Sequence, residues 1–158
     1  MSEGLSFRQV MGVFPTGVTV VVARGSDGAP RGLTVNSFAS VSLDPPLVLV
    51  CIDRASSTHD CLVRATTFTV SILGAHQEEM ATRFAFEASE TRFRDEEWEE
   101  EAGGALVPEG AAAWVSCDLE AVHEGGDHSI LVGRVRSMGA GEADALVFYR
   151  GRYGTVSP

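Results

Sequence analysis

The sequence predicts a mainly β domain closed into an antiparallel barrel. About seven runs rich in Val, Ile, Leu, Thr and Phe are bounded by Gly, Pro, Asp and Ser turns. Only two or three stretches carry helical periodicity, and they do not alternate with the strands as a doubly wound parallel sheet requires. The connections are mostly short, with no internal repeat or flexible linker, so residues 1–158 are expected to form one domain.

Phe7, Val10, Met11 and Phe14 recur at helical spacing, with Ser6 placed as N-cap and Gln9 three residues on. Pro15 and Gly17 end this short helix. The run VTVVVA, residues 18–23, is β-branched enough for a buried strand, and GSDGAPRG turns it into a hairpin with a strand over 33–43. Asp44-Pro45-Pro46 stops that strand, since proline has no N–H for a ladder, and LVLVCID at 47–53 is expected to be central. Ser57 opens a second capping box, STHD, which predicts a helix over about 58–65. A strand at 68–73 precedes a helix at 75–86 with Met80, Phe84 and the alanines inward. Residues 87–102, EASETRFRDEEWEEEA, are expected to be an acidic surface excursion anchored by Phe93 and Trp98, a plain loop in preference to a partly helical segment. Strands at 112–124, 128–138, 145–150 and 152–156 complete the chain.

With 22 acidic and 12 basic residues, the formal charge is −10 and the pI about 4.7, which disfavours nucleic acid and anionic membranes as partners. Every basic residue is arginine, so lysine-dependent pyridoxal enzymes and P-loop hydrolases are excluded. Cys51, Cys61 and Cys117 are odd in number and widely spaced, as reduced thiols are. The N-terminus lacks a secretion signal and no long apolar run occurs, so a soluble, cytoplasmic protein is expected. His59, His76, His123 and His128 share no metal-ligand spacing, so no metal site is expected. G-x-S-x-G and G-x-G-x-x-G are also absent, which argues against acyl transfer and a Rossmann site.

Chemistry concentrates in GLTVNSFASVSLDPPLVLVCIDRASST, residues 32–58. In an unbroken strand Thr34, Asn36, Phe38, Ser40 and Ser42 share one polar face, which an ordinary half-exposed strand also explains. The following strand, however, leads into DRASST, where free N–H groups at a helix start, the hydroxyls of Ser56, Ser57 and Thr58, and Arg54 favour a phosphate. Arg83 adds charge there if the next helix packs nearby. A hydrogen-bonding strand beside a phosphate pocket suits flavin mononucleotide. Asn36 and Ser37 point to opposite faces of an ideal strand, so both reach one ligand only if the chain bends between them. In GGDHSI, 125–130, the glycines allow a tight turn, Asp127 can accept from an imidazole, and His128 begins a strand.

In order along the chain, FRQVMGVFPTGVTVVVA, GLTVNSFASVSLDPPLVLVCIDRASST, FTVSIL with ATRFA, GGDHSILVGRV and LVFYRGRYGTV resemble the short-chain flavin reductases that serve two-component monooxygenases. The resemblance covers about residues 7–156. It implies a homodimeric Greek-key split β-barrel that reduces FMN or FAD with NADH or NADPH by direct hydride transfer. The reduced flavin would pass to a separate flavin-dependent monooxygenase. Carried over residue by residue, it implies that Thr34, Asn36 and Ser37 contact the isoalloxazine and ribityl group, while Cys51, Ile52 and Asp53 line it by backbone. Ser57, Thr58 and Arg54 would hold phosphate, and Phe84 and Ala85 would complete the pocket with Arg83 toward the phosphate or adenine. Thr16, Gly17, Val35 and Ser40 belong to the same cofactor-binding set. His128 would position the nicotinamide, with Tyr149 and Tyr153 bordering the dinucleotide. A non-catalytic flavin- or heme-binding barrel, acting as carrier or sensor, is the competing reading.

Overall fold

A computed structural model describes residues 4–158. Helix α1 (Phe7–Met11) carries the expected capping box: Ser6 Oγ accepts from the Gln9 N–H, and the Gln9 side chain accepts from the Ser6 N–H. The short β1 (Thr16–Gly17) precedes β2 (Thr19–Arg24), which forms a hairpin with β3 (Pro30–Val35). Then come β4 (Phe38–Leu43), β5 (Pro46–Asp53), α2 (His59–Arg64), β6 (Thr67–Ile72) and α3 (Glu78–Phe86). The hairpin of β7 (Trp98–Glu101) and β8 (Ala105–Pro108) follows. The long pair β9 (Ala113–Gly125) and β10 (His128–Ala140) leads to β11 (Leu146–Tyr149) and β12 (Arg152–Thr155). None of the described helices is long and apolar enough to cross a membrane.

Seven strands form one antiparallel sheet in the order β3-β2-β6-β9-β10-β5-β4. β3 and β4 lie at opposite edges, yet only Asn36 and Ser37 separate them in the chain. Such a link spans at most about 11 Å. The sheet must therefore curl until its edges nearly meet, which makes it a barrel split between β3 and β4. A single strand over 33–43 is thus replaced by two strands belonging to opposite edges, and the bend demanded by the faces of Asn36 and Ser37 is present.

Burial follows from this closure. Val21, Leu33, Val35, Val48, Val50, Ile52, Phe68, Val70, Cys117 and Leu131 fill one core, with Leu62 of α2 packed against it. The opposite face of β2, Val20 and Val22, packs with Leu73, Met80, Ala81, Phe84 and Leu146 in a second core. β2 is buried on both faces, which is why its sequence is continuously apolar.

Three local expectations are corrected. The STHD box does not form: Thr58 stands at the N-cap without a side-chain cap bond, its N–H taken by Ser56 Oγ at 3.2 Å and its hydroxyl donated to Gly32 O at 3.4 Å. The helix expected from residue 75 starts at Glu78, because Gln77 ties the preceding turn to Gly74 N–H (2.8 Å) and Glu109 O (3.0 Å). Residues 87–102 are not a plain loop. Phe93 and Trp98 anchor them as expected, Phe93 meeting Phe84 edge to face and Trp98 tilted against it at centroid distances of 4.9 and 5.6 Å; short 3-10 turns at Ser89–Thr91 and Asp95–Glu97 lead to the glutamate run, which forms β7.

β9 and β10 shift register beside Gly133, where an added Cβ would lie 2.6 Å from Phe68 Cζ and 2.7 Å from Cys117 Cβ. Both neighbours belong to the barrel core, so neither can withdraw to solvent. Gly133→Ala is expected to destabilise the fold by about 1–3 kcal/mol through overpacking, read as a lower midpoint in urea unfolding.

Candidate functional site

One rim of the barrel, where the end of β5 meets the start of β10, carries several of the polar residues singled out by sequence. The β5–β10 ladder places His128 opposite Asp53 and Ile130 opposite Cys51. The Arg54 N–H donates to Asp127 O at 3.0 Å, and its guanidinium lies 3.6 Å from Glu124. The turn after β5 and the turn before β10 are therefore adjacent, although 74 positions separate Asp53 from Asp127 in the chain. Each turn has a local cause. Asp53 Oδ1 accepts from the Ala55 N–H at 2.8 Å and Asp53 O from the Ser56 N–H at 3.0 Å, while Gly126 adopts φ 69°, which a two-residue hairpin demands.

The β3–β4 link reaches this rim through Cys51, two residues before Asp53. Ser37 Oγ donates to Cys51 O and the Cys51 N–H donates to Ser37 O, both at 3.1 Å. Asn36 is exposed, and among the described residues its carboxamide and the Ser40 and Ser57 hydroxyls make no hydrogen bond. Thr16 and Gly17 precede β2 by way of Val18, and Thr19, the first residue of β2, pairs with Val35 at the end of β3. The Thr16 hydroxyl oxygen is buried without a hydrogen-bond partner. On the far side, His128 Nδ1 lies 2.7 Å from Asp127 Oδ1, and this hydrogen bond and the imidazole's charge hold Asp127 below the usual carboxylate range. The result is a rim of hydroxyls, a carboxamide, backbone groups and one imidazole.

Other residues expected at the site have committed side chains. Val35 and Ile52 lie in the barrel core. The Thr34 hydroxyl donates to Ala81 O at 2.6 Å. Phe84 is fully buried in the aromatic cluster, whereas Ala85 is exposed. Arg83 is 2% exposed and its guanidinium is clamped by Glu79, at 3.0 Å, and by Glu97, so its charge is neutralised by the acidic segment. Tyr149 and Tyr153 sit on the β11–β12 hairpin, which pairs with β1, Thr16 opposite Phe148. Burial raises the Tyr153 phenol above its usual range.

Two neighbours of the rim escaped the sequence reading. His59 Nε2 lies 2.9 Å from Ser129 Oγ, joining α2 to the residue after His128. Arg92, inside the acidic run, reaches back to Gly32 and Thr58. Neither contact is marked by the residues around it in the sequence.

A model of the flavin reductase like domain matches residues 11–157. The chain belongs to this flavin reductase-like family. It is 43% identical to an NADH-dependent FMN reductase of Agrobacterium fabrum, over 96% of this chain and 86% of the relative. It is 39% identical to the reductase subunit of a flavin-dependent monooxygenase of Rhodococcus jostii, covering 96% and 77%. The NADH:FAD oxidoreductase of Streptomyces globisporus, solved with NAD and FAD fragments, matches with a TM-score of 0.87 at 42% identity, covering 96% of this chain and 91% of that one. The split barrel is therefore a flavin reductase fold, as the resemblance implied.

Proposed function

We propose that this flavin reductase-like protein reduces FMN or FAD with a reduced nicotinamide dinucleotide and supplies the reduced flavin to a separate flavin-dependent oxygenase. The observation that carries the reading is the meeting of the Asp53–Thr58 turn with the Asp127–His128 turn on one rim. A carrier or sensor needs only the first of these. The donor set fits a flavin: an unengaged carboxamide at Asn36, free hydroxyls at Ser40 and Ser57, and an orphaned hydroxyl at Thr16 can meet a ring edge, a polyol and a phosphate. The relatives support NADH as the reductant, while one is named for FMN and another for FAD.

When bound, the flavin supplies the hydride acceptor, chemistry that the protein itself lacks. The chain's part is to hold and orient. Ser37 and Cys51, locked by reciprocal hydrogen bonds, fix the wall. Asp127 holds the His128 ring, which positions the nicotinamide. No obligatory proton-transfer residue is assigned.

The protein is further proposed to act as a homodimer. Every residue of α1 is exposed, Phe7 by 82%, and Phe14 by 68%, while Leu43 on the edge strand is 94% exposed. An amphipathic helix without a buried residue is unpartnered within the monomer.

Mixing the protein with NADH or NADPH and FMN or FAD should cause nicotinamide oxidation, followed by absorbance. His128→Ala should raise KM for the nicotinamide about tenfold with flavin affinity within about twofold. Equal loss of both, or no oxidation with any pair, refutes the corresponding assignment. Light scattering after gel filtration should give about twice the 16.8 kDa chain mass, and Phe7→Glu should shift the population to monomer.

A further inference from the structure

Among the described residues, two arginines are buried in this strongly acidic chain, and they differ in one respect. Arg83 is neutralised by two carboxylates. Arg92, only 8% exposed, has neutral partners alone: Nε donates to Glu87 O at 2.9 Å, and Nη1 donates to Gly32 O at 2.6 Å and Thr58 Oγ1 at 3.4 Å. Among the described residues no carboxylate forms an ion pair with it, and Glu87 and Glu90 act on it only through space. Its Nη2 makes no hydrogen bond, and it is not among the fully buried unpartnered atoms, so its hydrogens remain open to an acceptor. Burial lowers the guanidinium pKa, the sign of a desolvated charge. A buried, uncompensated cation is costly unless a counter-charge arrives. Through Thr58 this one adjoins the turn whose Ser57 hydroxyl is free.

We infer that Arg92 is the phosphate-selecting residue of the site, supplying the charge that distinguishes phosphorylated flavins from riboflavin. This inference rests on the proposed reductase function. The neutral acceptors around Nε and Nη1 orient the fork, and the flavin 5′-phosphate supplies the missing anion at Nη2. Edge protection of β3 through Gly32 O is a second consequence of the same side chain.

The test compares FMN with riboflavin, which differ by the phosphate, in equilibrium titrations of flavin fluorescence alongside NADH oxidation. Wild type should bind FMN at least about tenfold more tightly than riboflavin, the scale of one charge-assisted hydrogen bond. Arg92→Gln should abolish that preference, weakening FMN by a similar factor with riboflavin affinity within about twofold. Arg92→Lys should keep part of it, and inorganic phosphate should compete with FMN but not riboflavin. Parallel loss of both flavins in Arg92→Gln, or a rise in KM for NADH alone, overturns the inference. Equal wild-type affinities for FMN and riboflavin overturn it even if the variant fails to fold. Turnover of riboflavin by wild type preserves the reductase reading in all these cases; no turnover with any flavin refutes that reading instead.

Discussion

The two-residue passage from β3 to β4 is the constraint on which the molecule depends. It forces opposite edges of a seven-stranded sheet to within about 11 Å, and so creates the barrel interior that Val21, Val50, Phe68 and Leu131 fill. It also places two residues with free ladder positions at the barrel rim. Ser37 uses its freedom to lock onto Cys51, and Asn36 is left facing solvent. Closure and construction of the proposed flavin wall are therefore one event: the break that allows the barrel to close is the break that takes Asn36 and Ser37 out of the strands.

Charge placement shows a second division of roles. The acidic segment neutralises Arg83 through Glu97, with Glu79 of α3 assisting, and Phe93 and Trp98 bind the segment to Phe84. The same segment carries Arg92 back to the free edge of β3 without giving it a carboxylate. An overall charge of −10 repels anions at long range, so a phosphate must be held by contacts made locally. Arg54 is partly satisfied by Glu124, which leaves Arg92 as the cation with the greater electrostatic demand.

Much of this was legible in the sequence where local chemistry decides structure. The Ser6 capping box, the doubly buried VTVVVA strand, the Asp44-Pro45-Pro46 stop and the glycine turn before His128 all follow from propensity and hydrogen-bond supply. The conflict between the faces of Asn36 and Ser37 even signalled a bend. The destinations of long-range side chains were not legible. Nothing near Thr58 says that its hydroxyl turns inward to Gly32, and no local signal marks the Arg83–Glu97 pair or the Arg92–Gly32 bond. The glutamates of β7 read as a solvated run because their pairing partner, β8, lies beyond a glycine turn.

The central claim is that the Asn36–Ser37 link, the turn after β5 and the turn before β10 form one flavin site. Hydrogen-exchange mass spectrometry with and without saturating FMN tests it without relying on turnover. Slowed exchange should appear together in peptides spanning residues 33–43, 51–60 and 124–131, with the β2 and β6 interiors unchanged. Protection confined to one of the three stretches, or centred on the β7–β8 hairpin, would contradict the account.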